Sequence, residues 1–111
     1  MRKGEVWRVR LPTATGHKQT GERPAVIVQN NTFTTPLSTV LVVPFTSKLN
    51  AKRFPGTLLV QPDGTNGLTL PSVALVFQVG AQDKNDLIDY LGTLDANSLD
   101  QILKTIEQLV M

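Results

Sequence analysis

The chain has 111 residues, of which 41% are hydrophobic, and a formal net charge of +2. This length suits one domain with a modest core, and the hydrophobic share excludes a disordered chain. Without cysteine and with a single histidine, a disulfide framework and a thiolate zinc site are excluded. No apolar run approaches the ~20 residues of a membrane span, and the chain does not begin with a secretory signal pattern. We therefore expect a single cytoplasmic domain over residues 1–111, with no membrane contact.

Charge is distributed unevenly along the chain. Residues 1–55 hold nine basic and two acidic side chains, which is +7, whereas residues 56–111 hold two basic and seven acidic ones, which is −5. A basic surface attracts phosphate groups, so a nucleic acid is a candidate partner. The alternative is that the polarity serves solubility alone.

The pattern predicts five or six short strands. Residues 5–11 alternate between apolar and polar side chains, as in a half-buried strand. Further strands are predicted at residues 24–29, 39–45, 57–61, 72–79 and 86–92. Pro24 is expected at the start of its strand, because proline cannot donate a hydrogen bond inside a ladder.

The end of the chain predicts a helix of about four turns, because apolar residues recur there at spacings of three and four. These residues are Leu99, Ile102, Leu103, Ile106, Leu109 and Val110. Either Asp95 or Asn97 can cap its first turn. The predicted fold class is mainly β with helices, a small antiparallel barrel or half-barrel with a C-terminal helix laid over it.

The candidate site consists of polar side chains on loops at strand edges. No phosphate-binding glycine motif, nucleophile elbow or tight carboxylate cluster is present. The polar residues that remain are His17, Lys18, Gln19 and Arg23 before the second strand, and Thr46, Ser47 and Lys48 after the third. If residues 24–29 pair antiparallel with residues 40–45, Arg23 and Thr46 lie at the same edge of the sheet.

Four segments carry a family resemblance. They are "GEVWRVRLP", "GHKQTGERPAVIVQN", "VVPFTSK" and "FQV", followed by the terminal helix. In this order they resemble the MazF/PemK family of toxins over nearly the whole chain. The most specific pieces are Gly16–His17 with Gln19, the Arg23–Pro24 pair, and Pro44–Ser47.

The resemblance implies an endoribonuclease, an mRNA interferase of a toxin–antitoxin system. It implies an SH3-like barrel, a homodimer, a cognate antitoxin and cleavage of single-stranded RNA at short sequences. It also implies a reaction without a metal or other cofactor. RNA carries its own nucleophile, the 2′-OH, so the enzyme need only move protons and stabilise the crowded phosphorane. The products would be a 2′,3′-cyclic phosphate and a 5′-hydroxyl.

The resemblance also assigns site residues. Arg23 and Thr46 match the family's principal active-site positions, and His17 matches a histidine of the PemK-like branch. Arg23 could hold two phosphate oxygens at once, Thr46 could donate to a phosphate oxygen or orient the ribose, and His17 could act as a base. The remaining positions are expected to bind RNA: Lys18, Gln19, Ser47, Lys48 and Gln78. The competing interpretations assign these residues no catalytic role. Arg23 would be a surface arginine that supports its loop, Thr46 a hydroxyl that caps its own turn, and His17 an exposed loop histidine.

The chain departs from the family at three places. Lys18 stands where many members have Glu, Gly80 stands where typical members have Arg, and Phe77 stands where the PemK-like branch has Asp. Without that Asp, the identity of the general base is left open.

Two alternatives belong to other functional classes. The first is a non-catalytic toxin that binds gyrase, like the CcdB proteins, which share this barrel. The second is a degenerate member that only pairs with an antitoxin. Incubation with a long RNA in EDTA distinguishes both alternatives from the ribonuclease, because only the ribonuclease would cleave the RNA.

Overall fold

The computed structural model describes residues 1–11 and 21–111, which contain seven strands. The strands are β1 (Glu5–Leu11), β2 (Gly21–Ile27), β3 (Thr39–Thr46), β4 (Thr57–Val60), β5 (Ser72–Leu75), β6 (Gly80–Asp83) and β7 (Leu87–Thr93). The helices are α1 (Asn31–Thr34) and α2 (Ala96–Val110), and 3₁₀ turns occupy Leu49–Arg53, Val76–Gln78 and Lys84–Asp86.

The strands form one antiparallel sheet in the order β4-β5-β3-β2-β1-β7. β6 lies off this path and pairs with residues 39–42 of β3. The end strands β4 and β7 do not pair in the described part of the chain, so the sheet is not closed into a complete barrel. The predicted class, mainly antiparallel β with a C-terminal helix, is confirmed.

Two strand predictions were wrong in detail. β2 begins at Gly21, so Pro24 lies inside the strand rather than at its start. The pairing of β2 with β3 stops at Ala25, and at Pro24 the strand pairs only with β1, where it lies opposite Arg8. Proline is tolerated there because its missing N–H has no partner strand on that side.

The second difference is the segment 72–79, which is not one strand. The chain leaves the sheet after Leu75, makes a 3₁₀ turn and returns as β6. β5 pairs with the end of β3 and β6 pairs with its beginning, so the sheet has seven strands rather than five or six.

Alternation along β1 and β2 buries side chains on both faces of the sheet. Val6 and Val26 lie on one face and pack into the cluster that holds Ile102 of α2. Val9 and Ala25 belong to a second cluster, which also contains Ile27, Val40, Val42 and Leu87. The strands are therefore held between two apolar layers, and their ends are free to carry a site.

The helix α2 forms as predicted, and Asp95 is its cap. The Asp95 side chain accepts a hydrogen bond from the N–H of Ser98 at 2.9 Å, whereas Asn97 lies within the first turn. Ile102 is fully buried. Leu109 and Val110 remain exposed, so the apolar stripe of the helix is left uncovered at its C-terminal end. None of the helices in residues 1–11 and 21–111 is long and apolar enough to cross a bilayer.

Candidate active site

A pocket of about 500 Å³ opens where β3 leaves β2. β3 pairs with β2 up to the Ala25–Pro44 pair and with β5 from Phe45 onward. Because the β2–β3 pairing ends there although β2 starts at Gly21 and β3 continues to Thr46, a gap is left between the start of β2 and the end of β3. This gap is the pocket.

Arg23 and Thr46 lie on opposite sides of this gap. The β2–β3 register, continued two positions beyond Ala25–Pro44, brings Arg23 level with Thr46, and both residues line the pocket. Arg23 is half-buried, and its guanidinium can hold two oxygens of one phosphate. The prediction that these two residues meet at one edge of the sheet is confirmed.

The hydroxyl of Thr46 has one role within its own turn. Its Oγ1 accepts a hydrogen bond from the backbone N–H of Lys48 at 3.2 Å, which orders the chain after β3. A hydroxyl has one donor and two acceptor positions, so the hydrogen of Thr46 is still available to a ligand. The turn-capping role and a phosphate-binding role are therefore compatible.

The opposite wall is the loop of residues 61–71, which is organised by two side chains. Oδ1 of Asp63 accepts hydrogen bonds from the backbone and the hydroxyl of Thr65 and from the backbone N–H of Asn66, each at 2.9 Å. Asn66 is fully buried, donates to the carbonyl of Gln61 at 2.9 Å and accepts from the N–H of Leu68 at 3.0 Å. The loop thus satisfies its own polar groups and presents a fixed surface, residues 67–70, to the pocket.

These hydrogen bonds make the stability of the fold sensitive to acid. The backbone and hydroxyl of Thr65 and the backbone of Asn66 hold the pKa of Asp63 below its usual value. A carboxylate whose pKa is lower in the folded state stabilises the fold above its unfolded pKa, and this stabilisation is lost as pH falls through its folded pKa. We expect Asp63→Asn to make the free energy of unfolding less dependent on pH below about pH 4, as measured by urea denaturation.

Thr65→Val is the matched comparison for this prediction. It removes only the hydroxyl donor to Asp63 and leaves both backbone donors. Its acid dependence should lie between those of the wild type and Asp63→Asn. An identical acid dependence of the wild type and Asp63→Asn would contradict the assignment.

The structure adds an ion-pair cluster that the sequence pattern did not single out. Arg8 of β1 and Glu22 of β2 both line the pocket, with Arg8 Nε 3.3 Å from Glu22 Oε1. Arg8 also forms an ion pair with Asp89 of β7 on its other side. The alternation of β1 marked Arg8 as a polar-face residue, but only the register of β1 with β2 and β7 places it between two carboxylates.

The predicted RNA-binding residues are divided among three places. Ser47 and Lys48 line the pocket directly after β3. Gln78 is exposed on the 3₁₀ turn after β5 and does not line the pocket. His17, Lys18 and Gln19 lie outside the described residues. The pocket also contains polar and apolar residues that sequence reasoning missed, namely Thr69, Leu70 and Ser72.

The comparisons with known proteins identify the family. Residues 2–110 match the family model described as PemK-like, MazF-like toxin of type II toxin-antitoxin system. The chain belongs to the PemK/MazF toxin family. It is 31% identical to Endoribonuclease MazF of Staphylococcus saprophyticus over 107 residues, which cover 96% of this chain and 88% of that protein. It is 35% identical to Endoribonuclease MazF9 of Mycobacterium tuberculosis over 107 residues, covering 92% and 89% of the two chains.

Solved structures share the PemK/MazF fold. MazF from Deinococcus radiodurans superposes with a TM-score of 0.80 at 21% identity, over 99% of this chain and 96% of that one. An endoribonuclease in complex with its cognate antitoxin, from a mycobacterial species, superposes with a TM-score of 0.76 at 21% identity, over 99% and 94% of the chains. The open seven-stranded sheet with a terminal helix is therefore the fold of MazF.

Proposed function

We propose that this PemK/MazF protein is the toxin of a toxin–antitoxin system and acts as an endoribonuclease on single-stranded RNA. The observation that carries the proposal is the pocket in the β2–β3 gap, because Arg23, Thr46 and Lys48 all line it. Relatives covering most of the chain are named endoribonucleases, which supports the same activity here. The family match gives no support to a gyrase-binding toxin or a degenerate antitoxin-binding protein.

In this proposal Arg23 stabilises the negative charge that develops as the 2′-oxygen attacks phosphorus. Thr46 donates its hydroxyl hydrogen to a phosphate oxygen, and Ser47 and Lys48 bind the neighbouring backbone. The pocket volume is within the range of roughly 300–1,000 Å³ that ligand sites occupy, so it suits about one nucleotide. Exposed Leu70 at its rim offers an apolar surface to a base. His17 remains a predicted catalytic residue, and Lys18, Gln19 and Gln78 remain predicted contacts to the RNA. Of these four, Gln78 is the one that the structure describes, and it lies outside the pocket.

The experiment is incubation of the purified protein with a long RNA in excess EDTA. We expect cleavage at a small number of sites, with 5′-hydroxyl ends that polynucleotide kinase labels directly and 2′,3′-cyclic phosphates on the other fragment. Intact RNA would contradict the ribonuclease, and cleavage only after a divalent metal is added would contradict the metal-independent mechanism.

We further propose that the active form is a homodimer. An apolar groove of about 340 Å³ is lined by Phe54, Pro55, Gly56, Phe77 and Leu109, at the uncovered end of α2. The two phenyl rings lie 6.1 Å apart, and both side chains are exposed, as are the last residues of the helix. Contiguous exposed apolar surface of this kind marks an interaction site. We expect a second copy of this chain to cover the apolar groove. One pocket binds about one nucleotide, whereas two copies together would provide a longer surface for RNA.

Leu109→Asp should therefore convert the dimer to a monomer, because a carboxylate would be buried without a partner in the interface. The measurement is the molar mass by light scattering at micromolar concentration. Leu37→Asp is the matched control, since Leu37 is 45% exposed against 47% for Leu109 and lies after α1, outside the groove. A wild-type monomer with full activity on RNA would contradict the dimer.

An antitoxin is the expected protein partner of this toxin. The basic half of the chain, which includes Arg23, Lys48, Lys52 and Arg53, would attract an acidic segment that folds as it binds. Because RNA would use the same positive charge, binding of RNA without the antitoxin should weaken steeply as salt rises.

A further inference from the structure

A single carboxylate stands in the pocket. Among the pocket-lining residues that the structure describes, Glu22 is the only carboxylate, and none of the others is an imidazole. Arg8, Arg23 and Lys48 are cations, and the remaining polar side chains are hydroxyls. Cleavage by the 2′-OH needs a group that accepts the proton of that hydroxyl. Of the groups in this part of the pocket, the Glu22 carboxylate is the one suited to accept it near neutral pH.

The side chain of Glu22 forms an ion pair with Arg8 on the neighbouring strand β1. The side chain of Glu22 is 47% exposed, and that of Arg8 is 43% exposed, so both reach solvent at the mouth of the pocket. Oε1 of Glu22 lies 3.3 Å from Nε of Arg8, which leaves Oε2 for a substrate. This contact is an ion pair without hydrogen-bond geometry, because Arg8 Nε has no hydrogen-bond partner among the described residues, so Arg8 draws the Glu22 carboxylate toward it by charge alone.

The charges in this cluster do not cancel one another. Arg8 also pairs with Asp89 of β7, so one guanidinium is shared between two carboxylates. The three side chains together carry a net charge of −1 at neutral pH. Arg8 therefore orients Glu22 without neutralising it completely, and Asp89 fixes Arg8 from outside the pocket.

We propose that Glu22 is the general base of the reaction and that Arg8 is its positioning residue, an inference that rests on the proposed ribonuclease function. Oε2 of Glu22 accepts the proton of the 2′-OH as the 2′-oxygen forms its bond to phosphorus. The bond from phosphorus to the 5′-oxygen breaks, and water at the open mouth of the pocket protonates the leaving oxygen. Glu22 returns its proton to solvent, so the products are the cyclic phosphate and the 5′-hydroxyl with no net consumption of protons.

Glu22 would thus act as the general base in a chain that has Phe77 where the PemK-like branch has Asp. The pH dependence of the cleavage rate can distinguish this carboxylate from a histidine base. The charged groups that surround Glu22 are Arg8 and Arg10 on β1, Asp89 on β7, Arg23 on β2 and Lys48 after β3. Unperturbed carboxylates titrate near pH ~4 and imidazoles near pH ~6.5, so a carboxylate base and a histidine base give different acid limbs.

The test uses the full-length protein and two short RNAs that carry the cleavage site mapped for the wild type. One RNA has the natural 5′-oxygen at the scissile bond, and the other has sulfur there, a leaving group that needs no protonation. We expect Glu22→Gln to lower the single-turnover rate by about 10² on both RNAs, because the loss of a base is not rescued by a better leaving group. The wild-type rate should be level across pH 6 to 8, whereas the residual rate of Glu22→Gln should rise with pH because hydroxide must take the proton.

Asp100→Asn is the control, since it removes the exposed pair with Lys104 of α2 at 3.1 Å and lies outside the pocket. The control should cleave within about threefold of the wild type, which is a small change compared with the loss of a base. Glu22→Asp keeps a carboxylate, so its rate should be reduced but should still be level across pH 6 to 8. If Glu22→Gln matches the control, or if its defect disappears on the sulfur substrate, the inference is overturned while the ribonuclease stands. A wild type that fails to cleave either RNA overturns both.

Discussion

Arg23→Ala should reduce the rate of RNA cleavage by about 10²–10³ and leave the fold intact. Arg23 lines the pocket level with Thr46, where the phosphorane would form. Removal of a preorganised cation from such a position removes stabilisation that is strongest in the transition state. The rate under single-turnover conditions on the mapped RNA is the measurement, with circular dichroism to verify the fold.

Two further variants make this prediction specific. Arg23→Lys keeps the charge but loses the two-pronged contact, and should fall between Arg23→Ala and the wild type. Arg2→Ala is the matched control, because Arg2 is an exposed arginine that precedes β1 and lies outside the pocket. If Arg23→Ala cleaves within a few-fold of Arg2→Ala, the site is not in the β2–β3 gap.

Gly92→Ala is expected to have the largest effect on stability. A Cβ at Gly92 would press against the carbonyl oxygen of Thr65 and stand 2.7 Å from the carbonyl carbon of Asn66. The N–H of Thr93 donates to that same Thr65 carbonyl at 2.9 Å, so the loop and β7 are in direct backbone contact. Gly67 meets the backbone of Leu91 in the same way. Because the obstacle is backbone and not a flexible side chain, the loop must move.

Displacement of this loop should cost about 1–3 kcal/mol of unfolding free energy. Since residues 67–70 form a wall of the pocket, the cleavage rate of the folded fraction should also fall, by about 10–100-fold for a shift near 1 Å. Urea denaturation measures the first effect, and single-turnover cleavage measures the second.

Gly80→Ala is the control for Gly92→Ala. A Cβ at Gly80 meets only the carbonyl oxygen of Gln78, at 3.8 Å, which is ordinary contact. This variant should remain within about 0.5 kcal/mol of the wild type, as for most substitutions away from critical features. Equal stability of Gly92→Ala and Gly80→Ala would show that the loop tolerates a side chain at position 92. The close approach of the loop to β7 would then not be what fixes the pocket wall.

Much of the fold could be predicted from local patterns. The alternation of Trp7, Val9 and Leu11 with two arginines gave the bounds of β1, and the apolar stripe with Asp95 before it gave α2 and its cap. These patterns work because side chains alternate along a strand and recur every three to four residues along a helix. The continuous apolar run of residues 73–77 carries no such periodic information, and β5 was therefore predicted too long.

The candidate site was predictable only in part. Arg23 and Thr46 could be placed at one edge because two neighbouring antiparallel strands bring the start of one to the end of the other. Arg8 and Glu22 were missed because an arginine on a polar strand face and a glutamate in a loop are ordinary in isolation. Only the pairing of β1 with both β2 and β7 makes them a cluster with Asp89.

The sequence by itself determined the strands with clear alternation, the terminal helix and the residue types that a phosphate site needs, because these depend on neighbours a few positions away. The tertiary structure alone decided that β3 changes partners at Phe45, that the gap there becomes a pocket, and that residues 61–71 form its far wall. These features arise from contacts between segments tens of residues apart. Their geometry depends on how the whole sheet packs, which no short stretch of the chain encodes.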